Sequence, residues 1–192
     1  KVRDKLYVAV LSRGNIIKKL DINTLTSVPP SGIIYSKVNE NDDIISVQIV
    51  SDKLDVVVYS GHKALRMSAK EIPVYQRNSL GVAAMNTKDP IEGMSIIYPE
   101  ATDVVVTTKS GKVNRFSVAG LAQSTRNKAG VGVIKLGKTD SIHSIYGVTP
   151  SNVLCITTTS DTIKVPVESI ATGSSVSQGI KTISTKSDII IK

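Results

Sequence analysis

Glycine recurs in this chain at Gly32, Gly81, Gly130 and Gly179, and that unbroken interval of 49 residues leaves few architectures open. A β-branched residue follows each one: Ile33, Val82, Val131 and Ile180. The same step links Arg66, Arg115 and Lys164, links Ile72, Leu121 and Ile170, and links Ser46, Ser95 and Ser144. It also joins Tyr7, Val56, Val105 and Leu154. A repeat of this length is one supersecondary unit that cannot bury its apolar face alone and must stack on its neighbours. The 192 residues are therefore expected to form one domain of four units, approximately 1–49, 50–98, 99–147 and 148–192.

Within a unit the order of residue types is constant. An apolar run such as Tyr7–Leu11, Val56–Tyr59, Val104–Val106 or Val153–Ile156 comes first. A tight polar turn follows, as Ser12-Arg13-Gly14, Ser60-Gly61-His62, Ser110-Gly111-Lys112 or Ser160-Asp161-Thr162. Run, turn and a second run carrying the basic residue read as a β-hairpin. A third strand is expected after the repeating glycine, as in Gly130–Ile134, and a fourth around Ile45–Ile49, Met94–Ile97 and Ile142–Tyr146. Four strands per unit match a propeller-type blade. Valine, isoleucine, threonine and serine dominate, which suits a pleated, half-buried surface. The fold class is all-β with less than a tenth helix; only Glu71–Val74 and Gly120–Gln123 could form a single turn.

The net charge of +8 favours a polyanionic partner. Residues 99–147 alone carry +4, and from Val104 to Thr139 there are seven basic residues and no acidic one. A single cysteine, Cys155, excludes an intrachain disulfide and, lying in an apolar run, is expected to be buried. No stretch approaches the roughly 18 apolar residues of a membrane helix, no signal peptide is apparent, and the start at Lys1 suggests a piece of a longer protein.

The apolar strand, the Ser-x-Gly turn, the basic residue after it and the Arg-Asn-x-x-Gly-Val motif together resemble the C-terminal domain of bacterial type IIA topoisomerase A subunits, those of DNA gyrase and topoisomerase IV. The clearest pieces are Arg77-Asn78-Ser79-Leu80-Gly81-Val82 and Arg126-Asn127-Lys128-Ala129-Gly130-Val131, 49 residues apart. Ala84-Met85-Asn86 and Ile134-Lys135-Leu136 continue them. The resemblance implies a β-pinwheel, a propeller-like disc whose neighbouring blades exchange strands. It implies duplex DNA bent around a basic rim, strand cleavage located in another region, and as partners the rest of the A subunit and an ATPase B subunit. A cytoplasmic, nucleoid-associated location follows, with no membrane and no cofactor. Two departures stand out. The Gln-Arg-Arg-Gly-Gly-Lys-Gly box of gyrase is reduced here to Gln76-Arg77-Asn78-Ser79-Leu80-Gly81, which favours topoisomerase IV, or a degenerate gyrase, over a fully wrapping gyrase as the parent. The family also has five or six blades where four repeats fit.

On this reading the DNA-contacting residues are Lys18, Lys19, Lys63, Arg66, Arg77, Lys112, Arg115, Arg126, Lys128, Lys135 and Lys164. The recurrent Arg66/Arg115/Lys164 and Arg77/Arg126 positions are expected to lay a charge track around the rim. Tryptophan is absent and Phe116 is the only phenylalanine, so base stacking is a poor basis for binding. Shape and backbone recognition fits better. Enzymatic readings find little support. His62 and His143 have no ligand partners at metal spacing, and no Gly-rich phosphate loop, Gly-x-Ser-x-Gly or convincing carboxylate pair occurs. The alternative is a protein-interaction propeller, but WD and kelch signatures are missing.

Overall fold

A computed structural model describes residues 4–158, 162–181 and 189–191. Each repeat begins with the anticipated hairpin, because an apolar run, a turn glycine and a second run satisfy each other's backbone groups. In the first sheet β1 (Leu6–Ser12) pairs antiparallel with β2 (Ile16–Asp21), and β3 (Ile44–Ser51) flanks β1 on its other side. The second sheet repeats this with β4 (Asp55–Ser60) and β5 (Lys63–Ser68).

The third strand is shorter than expected, only two residues, and it leaves its own repeat as the resemblance implies: β6 (Val82–Ala83) pairs with β2 of the preceding sheet, placing Val82 opposite Ile17. Beyond it, β7 (Gly93–Ile97) flanks β4. The third repeat has β8 (Asp103–Thr108) and β9 (Lys112–Ser117), and it sends β10 (Gln123–Ser124) and β11 (Val131–Gly132) back to β5. Its remaining strand, β12 (Ile142–Val148), flanks β8. The fourth repeat has β13 (Val153–Thr158) and β14 (Thr162–Pro166) and returns β15 (Ile180–Lys181) to β9. Finally β16 (Ile189–Ile191) flanks β13. Residues Ser160 and Asp161 of the fourth expected turn lie outside the described residues.

β3, β7 and β12 of successive sheets pack on one another, so they line the inside of the array. The exchanged strands lie at the opposite, outer edge. Gly81 and Gly130 make that exchange possible. Both have positive φ, and a Cβ would stand 2.7 Å from the Ile17 carbonyl oxygen at Gly81 and 2.5 Å from that of Ala64 at Gly130. Gly130→Ala is therefore expected to cost about 1–3 kcal/mol, read as a lower denaturation midpoint at unchanged slope.

The single turns occur, but two to three residues before their expected places, as 3-10 segments Ala69–Glu71 and Val118–Gly120, with others at Ile22–Leu25 and Val167–Ser169. Ser68 and Ser117 cap two of them by accepting from the N–H two residues on. The core forms between sheets rather than within them. Ala9 of the first sheet packs with Val56, Val58, Ala69 and Ile72 of the second. Val57 packs with Val104, Val106 and Leu121, and Val105 with Leu154, Ile156, Val167 and Ile170.

The 49-residue step does not hold in the first strands. Opposite the basic position stand Ala9, Val57, Val105 and Cys155, so Tyr7 and Val105 are not equivalent residues. One residue of slip moves a side chain to the other face. Cys155, expected to be buried, is exposed. It occupies the place of Val57 and Val105, which are covered by the following sheet, and no following sheet covers it among the described residues.

Candidate nucleic-acid interface

The recurrent basic position turns out to hold the blades together. Arg115 is 8% exposed. Its Nη1 donates to the Val167 and Ile170 carbonyls of the next repeat at 2.9 and 3.1 Å, and its Nε and Nη2 face the Asp103 carboxylate at 3.3 and 3.4 Å. Arg66 is built alike, with Nε 2.7 Å from Asp55 and Nη1 reaching Val118 and Leu121 oxygens. Lys19 is the first member of the series. Its Nζ donates to the Ala69 carbonyl and Asp52, and sits 4.5 Å from the centre of the Tyr7 ring. Sequence reading missed that membership because Lys19 stands 47 residues before Arg66, not 49.

Lys18 is also buried. Its ammonium donates to the Gln76, Arg77 and Ser79 carbonyls at 3.3, 2.9 and 2.5 Å, and desolvation holds its pKa below the ordinary lysine value. The expectation that Lys18, Lys19, Arg66 and Arg115 face a DNA rim is therefore corrected. Their charged groups point inward because the exposed backbone carbonyls of each 3-10 turn and loop need donors from the sheet before. Lys164 holds the equivalent place in the fourth repeat and is exposed, with Val153 where Asp55 and Asp103 stand and no following sheet over it among the described residues.

The remaining expected residues gather on the outer edge. Successive loops are stitched there by backbone hydrogen bonds, Lys37 N to Arg77 O, Asn86 N to Lys128 O and Lys135 N to Ser177 O. Arg77, Lys128 and Lys135 are exposed beside these stitches, as are Lys88 and Lys138, which the sequence pattern does not single out. Lys18, by clamping the Gln76–Ser79 carbonyls, fixes the loop that presents Arg77. Arg126 is half-buried, and its Nη1 donates to the Ala83 carbonyl at 2.6 Å. Lys63 and Lys112 are half-buried at the hairpin turns. A cavity of about 230 Å³ brings Lys63 and Lys88 to one place, with Ser60, Asp89 and Ala129 in its wall. Among the described residues no group of three or more His, Cys, Asp or Glu is arranged to hold a metal, and no helix is long and apolar enough to cross a membrane. Tyr59 is buried, and desolvation pushes its hydroxyl up to about 12, a packing role.

The family model for the DNA gyrase C-terminal domain, described as a β-propeller, matches residues 6–51, 63–93 and 102–148. The chain belongs to that family. Gyrase A subunits are similar to it at low identity: that of Klebsiella oxytoca is 24% identical over 187 residues, covering 94% of this chain, and that of Staphylococcus epidermidis strain ATCC 12228 is 25% identical over 156 residues, covering 79%. The chain spans only 21% and 16% of those two proteins. The crystal structure of the C-terminal domain of DNA topoisomerase IV superposes with a TM-score of 0.84 at 19% identity, over 95% of this chain and 59% of that one. A DNA gyrase A C-terminal domain gives 0.86 at 14% identity, over 98% and 65%. These likenesses establish the all-β pinwheel fold, with the blade-to-blade strand exchange seen in β6, β11 and β15.

Proposed function

We propose that this gyrase C-terminal-type domain is a non-catalytic module that binds and bends duplex DNA along its outer edge, for the strand-passage machinery of a type IIA topoisomerase. The contacts are Arg77, Arg126, Lys128 and Lys135, joined by Lys88 and Lys138, with Lys63 and Lys112 at the hairpin turns. The observation that carries the reading is the exposure of Arg77, Lys128 and Lys135 beside the hydrogen bonds that stitch loops of successive blades, together with the seven basic residues and no acidic one from Val104 to Thr139. Evenly spaced cations on a curved edge neutralise phosphates without reading bases, and each phosphate neutralised releases counterions. The working partners are duplex DNA, the remainder of the A subunit and an ATPase B subunit, in the bacterial cytoplasm at the nucleoid.

Smooth bending of a short duplex costs on the order of 1–6 kcal/mol, which contacts along the edge must offset. The Gln76–Gly81 loop offers one arginine where the gyrase box has two and a lysine, so bending without a full turn of wrap is the expected outcome, and topoisomerase IV the favoured parent. Nicked circles ligated in the presence of the domain should show only a small change in linking number. A large positive shift per bound domain would overturn the partial wrap.

A further inference from the structure

At each internal junction the later repeat meets the second strand of the earlier one twice. Tyr75 N donates to Lys19 O, and Val82 stands opposite Ile17. Gln123 and Val131 stand opposite Arg66 and Ala64. Gly173 N donates to Arg115 O, and Ile180 stands opposite Val113. The two contacts leave out one strand residue, Lys18, Leu65 or Asn114, and the chain between them is a loop that opens with Gln76, Thr125 or Ser174, each 49 residues after the last. These left-out residues precede the basic latches in the chain, so their side chains take the other face of the strand. All three are buried, at 1%, 2% and 3% exposed.

They serve their loops in three different ways. Lys18 donates to the carbonyls of Gln76, Arg77 and Ser79. Asn114 Nδ2 donates to Ser174 O at 3.1 Å, while its Oδ1 accepts from the Ser177 hydroxyl. Leu65 has nothing to donate, and there the loop is held from its flank: Arg126 Nη1 donates to Ala83 O, and Asn127 N to Ala84 O at 3.0 Å. The second loop therefore commits part of its own arginine to the fold. Arg77, 49 residues before Arg126, is exposed on a loop held from beneath. Leu65 also shows that an apolar side chain suits this place in the fold. Burying an ammonium there is costly by comparison, and desolvation already lowers the pKa of Lys18, so its presence calls for a use beyond folding.

We propose that Lys18 is a positioning residue for DNA: by holding three carbonyls of the Gln76–Ser79 loop from beneath, it presets the loop so that the whole Arg77 guanidinium is available to a backbone phosphate. The proposal rests on the reading of the outer edge as the duplex-binding surface. A contact that is ordered before binding loses less freedom on binding, so the gain appears as affinity. Lys18 acts through Arg77 and, being buried under the loop, is not itself a phosphate contact.

A double-mutant cycle on duplex affinity tests this, with a linear duplex of arbitrary sequence at fixed salt. Lys18→Met should weaken binding about fivefold in the wild-type chain, the worth of one charge-assisted contact no longer held in place. In an Arg77→Ala background the same substitution should change affinity by less than about twofold, because its route to the DNA is gone. Lys18→Gln, which drops the charge but keeps amide donors for the carbonyls, should bind within about twofold of the wild type. Hydrogen exchange in the peptide over Gln76–Leu80 should quicken in Lys18→Met and not in Lys18→Gln. Equal losses from Lys18→Met in both backgrounds would overturn the proposal, since Lys18 would then act as a charge in its own right. So would wild-type affinity in Lys18→Met, or a Lys18→Gln variant as weak as Lys18→Met. A wild-type chain that binds no duplex would remove the DNA reading itself, and this proposal with it.

Discussion

Replacing Arg115 with alanine is expected to destabilise the domain by about 3–5 kcal/mol, the range for removing one partner of a buried ion pair. The guanidinium is largely buried between two blades. Without it the Asp103 carboxylate, itself 8% exposed, loses its cation, and the carbonyls of Val167 and Ile170 lose the donor that links them to the preceding blade, Val167 O keeping only the Ile170 N–H. Urea denaturation followed by near-UV and far-UV signals should show the lower midpoint. A double-mutant cycle separates the charge from the packing. Arg115→Met with Asp103→Asn should recover much of the loss, since no uncompensated charge then remains buried. Arg115→Ala tolerated at a cost below about 1 kcal/mol would mean that the junction does not depend on its latch, as is usual for surface ion pairs.

The second large effect concerns DNA. Arg126→Ala/Lys128→Ala/Lys135→Ala, all at the outer edge, should lower the slope of log affinity against log salt by about two to three units, one for each phosphate no longer neutralised. Affinity should fall for every duplex sequence alike. Thermal melts should be nearly unchanged, because Lys128 and Lys135 are exposed and only the Arg126 bond to Ala83 O is removed from the fold. A set that included Arg115 would not separate weaker binding from weaker folding, because that side chain is a latch between blades.

Much of this architecture was legible in the residues. The Gly32/Gly81/Gly130/Gly179 series announced the repeat, and three of its members sit where a backbone carbonyl of the preceding blade excludes a side chain. The hairpins and inner strands fell where the apolar runs and turn glycines placed them. What the residues hid was direction. Arg66 and Arg115 recur as strictly as a rim contact would, and nothing in their spacing says that they point at the next blade. The telling signal was an acid at a fixed place in the neighbouring strand, Asp55 and Asp103, 48 residues apart. That signal was masked because Tyr7 and Val153 take its place in the first and fourth repeats. Cys155 was misjudged for a related reason: an apolar strand is buried only when a further blade covers it, and coverage is a property of the array rather than of the strand. Lys88 escaped notice because a single lysine in a loop carries no periodic mark, and Lys138 was noticed only as one of the seven basic residues from Val104 to Thr139.

Duplex DNA held by evenly spaced backbone contacts along the outer edge should leave its mark on the salt dependence of binding, which measures those contacts most directly. Titrating a linear duplex of arbitrary sequence with the domain at a series of salt concentrations should give a slope of about −4 to −7, corresponding to roughly four to eight phosphates neutralised. A second, unrelated sequence should give the same line. A flat response, or tight binding confined to one sequence, would contradict it.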